Sequence, residues 1–192
     1  KVIAKFLKTK LKLTINEEKS GIRRPVHFTL LGFGFVPTYK KGSKNDYQLV
    51  VAEKAWKKLK EKLKSISQKT APVKLEERIA KIKEVQRGWL NYFRGTSIVG
   101  KLRAIDGWLR NRLRYCIWHD WKKPERKRKN LIRLGVDQDH AYAFSRTRKG
   151  GWAIAQSPIL STTITLKRLR QKGYKSLTDV YIELNPSFCE PP

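Results

Sequence analysis

Methionine is missing from this chain altogether, even at position 1. A full-length translated protein starts with one, so an internal or C-terminal fragment is expected. Cysteine is scarce. Cys116 and Cys189 stand far apart and form no paired-Cys zinc pattern, so two reduced thiols in a reducing compartment are expected. No apolar run is long enough to span a bilayer, and no signal peptide is visible. The most telling shortage is acid. The 192 residues hold 16 Asp plus Glu against 44 Lys plus Arg, a net charge of +28. That excess has no folding purpose and points to a polyanion, with nucleic acid favoured over an acidic protein or a membrane surface.

What is present argues for a folded protein. Hydrophobic residues make up 40%, with Trp 6, Tyr 7 and Phe 7. That is enough for a core, so the chain is not a disordered basic tail. The length allows one domain or two small ones. Residues 2–13 show helical spacing at Val2, Ile3, Phe6, Leu7 and Leu11, and 13–15 alternate briefly like a strand. The run HFTLLGFGFVP, residues 27–37, reads as one strand with Gly32 and Gly34 marking close packing. Residues 40–46 make a loop, and 47–51 return as a second strand, giving a β-hairpin.

Three amphipathic helices follow. The first covers 52–66, with Trp56, Leu59, Leu63 and Ile66 on one face. After a linker at 67–72, the second covers 75–94 and carries Leu75, Ile79, Ile82, Val85 and Trp89. Gly95 and Gly100 bracket a turn. The third covers 101–121, with Leu102, Ile105, Leu109 and Leu113 inward. Three such stripes pack as a small bundle. Pro124 ends the pattern. Beyond it the sequence predicts short helices around Leu131 and over 139–145, and a strand at 152–155. Ser157-Pro158 opens a helix to about Gln171, and Gly173 ends it. A last short helix covers 176–184. No repeat recurs at a fixed period.

No self-contained active site emerges. His27, His119 and His140 are scattered, and the neighbours His119 and Asp120 cannot face each other on a helix. They read as a solvated pair. Glu76-Glu77 suits a helix N-terminus, and Glu17-Glu18 is a second doublet. There is no phosphate loop, nucleophile elbow or metal-ligand cluster. Catalytic residues, metal ligands and cofactors are therefore not expected.

Binding has four candidate segments. Arg103, Arg110 and Arg114 fall on one flank of the third helix and could track phosphates as a ladder. Lys122, Lys123, Arg126, Lys127, Arg128 and Lys129 form a run opposed only by Glu125. Arg146, Arg148 and Lys149 precede Gly150, Gly151 and Trp152, where glycine admits close backbone approach and the aromatic a stacking contact. Lys167, Arg168, Arg170, Lys172 and Lys175 form the fourth. Each has a bland alternative, respectively a solvated face, a solubilising linker, a tight turn and an exposed helix side. Trp89, Tyr92 and Phe93 read as core rather than as stacking platforms, while one of Trp108, Trp118 and Trp121 could be exposed for stacking on a base.

Several segments, in order, resemble the C-terminal part of group II intron reverse transcriptase-maturases. KLTINEEKS (12–20) and LGFGF (31–35) resemble the end of the palm subdomain. RGWLNYFR (87–94) and DGWLRNRLR (106–114) resemble the thumb, or domain X. NLIRLGV, RKGGWAIAQSPIL and KGYKSLTDVY are similar to the tail of the bacterial proteins. The resemblance implies an α+β, mainly α chain. Residues 1–51 would be a palm remnant with a hairpin, 52–121 a three-helix thumb-like bundle, and 122–192 a basic RNA-binding appendage. It implies a bacterial, cytoplasmic protein that binds group II intron RNA, aids its folding and splicing, and forms the thumb that guides template-primer in the intact reverse transcriptase. Target DNA or an RNA-DNA duplex is a further candidate partner. The paired polymerase aspartates and their Mg would lie upstream of Lys1, and no paired-cysteine nuclease is expected. The apolar stretch 30–35 could drive self-association. Two rivals remain, a helix-turn-helix DNA-binding module and a polymerase or nuclease active within the chain.

Overall fold

Amphipathic repeats, glycine turns and polar breaks cut the described residues into ten helices and three strands. The computed structural model describes residues 2–14, 16, 21, 23–38 and 46–186. Ile15, the Glu17-Glu18 doublet, most of the loop at 40–46 and Cys189 lie outside them. Helix accounts for 65% of the described residues, and the only sheet among them has three antiparallel strands. The chain is thus mainly α with a minor β part. It divides into two units, Lys1–Ala52 and Glu53–Pro192.

In the first unit, α1 (Val2–Lys10) ends where Lys12 turns left-handed at φ 51° and Leu13 N–H donates to Leu7 O at 3.0 Å. That closes the last turn without glycine. Leu13 and Thr14 form no strand. The single strand expected over 27–37 is instead a 3-10 turn (Pro25–His27), β1 (Thr29–Leu30) and β2 (Phe33–Pro37). Leu31 and Gly32 between the strands have φ of 49° and 86°. Two positive φ values in a two-residue connection suit the twist of an antiparallel hairpin. Gly32 therefore makes a turn rather than a packing site. β3 (Tyr47–Val51) pairs with β2, Phe33 opposite Val51 and Pro37 opposite Tyr47. Leu30 and Leu31 are exposed.

In the second unit, α2 (Glu53–Ile66), α3 (Leu75–Phe93) and α4 (Val99–Asp120) touch pairwise. Leu59, Leu63, Ile79, Ile82, Leu90, Leu102, Leu109 and Leu113 are buried between them. Each contributes about 1.5–3 kcal/mol by leaving water. The α3 stripe is rotated from the expected one. Ile79, Ile82, Gln86, Leu90 and Phe93 point inward, and Val85 and Trp89 sit at its edge. Trp89 meets Trp56 and Phe93 at 4.7 and 4.6 Å, while Tyr92 is exposed.

Downstream lie α5 (Pro124–Arg133), α6 (Gln138–Ser145), α7 (Gly151–Ala155), α8 (Pro158–Thr163), α9 (Leu166–Gln171) and α10 (Leu177–Leu184). The strand expected at 152–155 is helix α7. The helix expected from Ser157 to Gln171 is two helices, because Ile164 leaves helical geometry and Thr165 caps α9 by accepting from Arg168 N–H at 3.4 Å. A β-branched run, Thr162 to Thr165, favours the break.

Polar groups inside this unit fix the helices to one another. Asp106 on α4 is buried, and its carboxylate accepts Leu177 N–H at 2.7 Å, Thr178 N–H at 2.9 Å and Thr178 Oγ1 at 2.6 Å. It caps α10, which packs on α3 and α4. Burial, then the Asp106 charge, pushes the Tyr174 phenol up, so it remains a donor toward Asp106 at 3.5 Å. Carboxylates being few, arginines take backbone carbonyls instead. Buried Arg78 donates to Ile66, Gln68, Ala71 and Val73 carbonyls at 3.0, 2.6, 2.5 and 3.2 Å. Arg112 donates to the Lys64 and Ser67 carbonyls at 3.0 and 2.7 Å. Both complement the negative end of α2 and fix the segment after it.

Candidate nucleic-acid interface

A helix stop and a glycine together build the cleft. Lys122 follows α4 with φ 46°, and its N–H donates to His119 O at 3.1 Å. This left-handed residue turns the chain so that Pro124 can open α5. Opposite, α7 packs on α4 through Gly151. A Cβ there would stand 2.7 Å from Tyr115 Cε2, so only glycine permits the approach. The close neighbour of this glycine is thus the protein's own tyrosine. Among the described residues, nothing beyond its chain neighbours lies within 4 Å of the Cβ position at Gly150.

The cleft measures about 310 Å³. Lys69, Lys122, Lys127 and Lys149 line it with Tyr115, Trp118, His119 and Thr147, and no carboxylate among the described residues does. Two ammonium groups are held over rings, Lys127 4.6 Å from the Trp118 centroid and Lys69 5.2 Å from that of Tyr115. Ring faces orient cations without neutralising them. Lys127 is half-buried, and burial pushes its ammonium below its ordinary value. Trp118 is buried, and Tyr115 meets Trp152 edge-on at 5.8 Å. These aromatics form the walls. The ligand chemistry is that of an anion able to accept from several ammonium groups, such as phosphate.

A second cavity, of about 450 Å³, shares Lys69 and Tyr115 with the cleft and adds Lys64, Arg112 and one acid, Glu61. Beside it, Trp108 is flanked by Lys60 at 5.4 Å and Arg112 at 5.7 Å. Positive charge thus runs from the end of α2 to the start of α5. Sequence reasoning missed Lys64, Lys69 and Arg112. The one available signal was membership of basic stretches with few acids, lysine-rich for Lys64 and Lys69 and arginine-rich for Arg112.

The expected residues divide. Lys122, Lys127 and Lys149, from two separate segments, meet in the cleft. Lys123, Arg126, Arg128 and Lys129 are exposed on or beside α5, and Arg148 is exposed near Lys149. Arg146 is exposed with its guanidinium 4.6 Å from the Tyr142 ring centroid. The arginine ladder does not form. Arg103 is exposed and Arg110 half-buried, but Arg114 is buried. Arg114 donates to Ile164 O at 3.1 Å, Asn111 Oδ1 at 2.8 Å and Ser161 O at 3.5 Å. It therefore holds the end of α8. Burial, then the charge of Arg110, lowers its pKa. Arg168 is likewise engaged, with Leu134 and Thr163 carbonyls. Arg170 pairs with Asp179 at 2.6 Å, Lys172 with Glu76 at 3.2 Å and Lys175 with Glu183 at 2.9 Å, while Lys167 is exposed.

His119 Nδ1 stands 3.9 Å from Asp120 Oδ1, at a partly exposed site. Among the described residues, no three His, Cys, Asp or Glu side chains gather as metal ligands. None of their helices is long and apolar enough to cross a membrane. Helix α4 packs against α2, α3, α7 and α10. Two comparisons with known proteins bear on the site. The family model for the group II intron, maturase-specific domain, matches residues 56–135, which include Lys69, Lys122 and Lys127 of the cleft. No curated protein matches the chain.

Proposed function

Because residues 56–135 are a group II intron maturase-specific domain, we propose that this chain binds group II intron RNA and stabilises its splicing-competent fold. That domain is the non-catalytic part of intron-encoded reverse transcriptases. The carrying observation is the cleft in which Lys69, Lys122, Lys127 and Lys149 converge with no carboxylate among the described residues. Structured RNA is recognised through its backbone and shape. Ammonium groups held by ring faces suit a bend of that backbone, and the exposed cations of α5 extend the contact. The chemistry of splicing would belong to the RNA and its metal ions. The protein shifts the folding equilibrium of the RNA by binding one fold more tightly than others. In a longer enzyme the same surface would serve as the thumb along the template-primer duplex.

A competition assay tests this reading. Folded intron RNA should displace a labelled intron fragment from the chain far better than duplex DNA of equal charge at matched salt. Equal displacement would reduce the reading to general polyanion binding.

A further inference from the structure

A third cavity shares no lining residue with the lysine cleft and has a different character. It measures about 420 Å³, inside the ~300–1,000 Å³ span of small-ligand sites. Leu75, Ile117, Trp121, Leu134, Ile164 and Leu169 give it an apolar wall. Its cations are Arg133, Arg168 and Lys172, and no carboxylate among the described residues lines it. Trp121 is half-buried and braced by the buried Trp118 ring, centroids 5.7 Å apart. The Arg168 guanidinium is fixed by Leu134 O at 3.0 and 3.1 Å and by Thr163 O. Lys172 pairs with Glu76 at 3.2 Å.

We infer that this cavity receives one unpaired base of the bound RNA. Three features together select that occupant. The apolar wall favours a flat, poorly hydrated group. A braced indole and an immobilised planar guanidinium offer faces on which any base can stack. Exposed Arg133 on its lining can meet a phosphate that flanks such a base, whereas an apolar metabolite would gain nothing from it. An apolar protein segment would need acids at its ends to do so. This site rests on the RNA-binding reading and deepens it, adding selection for bulged or looped nucleotides to the phosphate contacts of the cleft.

The test compares two RNA hairpins on the full chain at matched salt, one fully paired and one with a single bulged 2-aminopurine. The bulged hairpin should bind about tenfold tighter, as stacking one base allows. Its fluorescence should be quenched on binding. Trp121→Ala should erase the preference and the quenching while leaving paired-hairpin affinity unchanged, and Trp121→Phe should retain most of both. Ultraviolet crosslinking of the unaltered chain should map the bulged base to peptides containing Trp121 or Leu134, a readout independent of how the variants fold. Equal binding of the two hairpins, or a crosslink elsewhere, overturns the pocket and leaves RNA binding intact. Displacement of the bulged RNA by an acidic amphipathic peptide but not by adenosine monophosphate overturns it in favour of protein docking. Failure of both hairpins and of intron RNA to bind would overturn the pocket together with the reading beneath it.

Discussion

Lys127 Nζ lies 4.6 Å from the centre of the Trp118 ring, joining the basic α5 to α4. Burial holds this ammonium below the ordinary lysine value of 10.5. Between the lowered and the ordinary value the unfolded chain binds more protons, so stability rises with pH there. RNA affinity runs the opposite way. Phosphate favours the charged form, so affinity falls as pH climbs through the lowered value. With 2′-O-methyl RNA titrated upward in pH toward the ordinary lysine value of 10.5, the loss should be steeper for the native chain than for Lys127→Arg, whose guanidinium stays charged. Parallel profiles would remove Lys127 from the phosphate contacts.

Lys122 separates stability from binding. Its left-handed backbone, φ 46°, suits glycine better than lysine. Lys122→Gly should raise unfolding free energy by about 1 kcal/mol while weakening RNA binding several-fold. Lys122→Ala keeps the strained backbone and should weaken binding equally without the gain. Denaturant melts alongside RNA titrations check both variants.

Two basic residues that look alike in sequence should behave in opposite ways. Arg114→Ala orphans the Ile164 and Ser161 carbonyls at the end of α8, at a cost of about 2–3 kcal/mol in stability. Its effect on the salt dependence of RNA binding should be nil. Lys149→Ala, exposed at the cleft, should change stability by less than about 0.5 kcal/mol and weaken binding. Thermal melts and salt titrations of both variants separate the roles.

Hydrophobic spacing alone located α2, α3 and α4 to within one or two residues, because their leucines and isoleucines recur at helical intervals and do become buried. It could not locate polar residues at inward positions. Arg78, Asp106 and Arg114 are buried because backbone groups far along the chain or in the next loop satisfy them, and no local window contains those partners. The segment at 152–155 reads as a strand by composition. It is a helix because Gly151 lets it seat against Tyr115. The cleft was half legible. Lys122, Lys127 and Lys149 were visible as members of basic runs, but their convergence depends on the left-handed turn after α4 and on Gly151. Lys69 sits in a linker with no periodicity to mark it. Arg114 misled the ladder because helical geometry places it beside Arg103 and Arg110, while α8 covers it.

The most direct measurement is the salt dependence of intron RNA affinity for the native chain and for a variant with Lys69, Lys122, Lys127 and Lys149 all changed to alanine. If the cleft grips phosphates, the slope of log affinity against log salt should shrink by about 0.7–0.9 for each lysine lost, with an unchanged thermal melt. An unaltered slope in a folded variant would contradict the account.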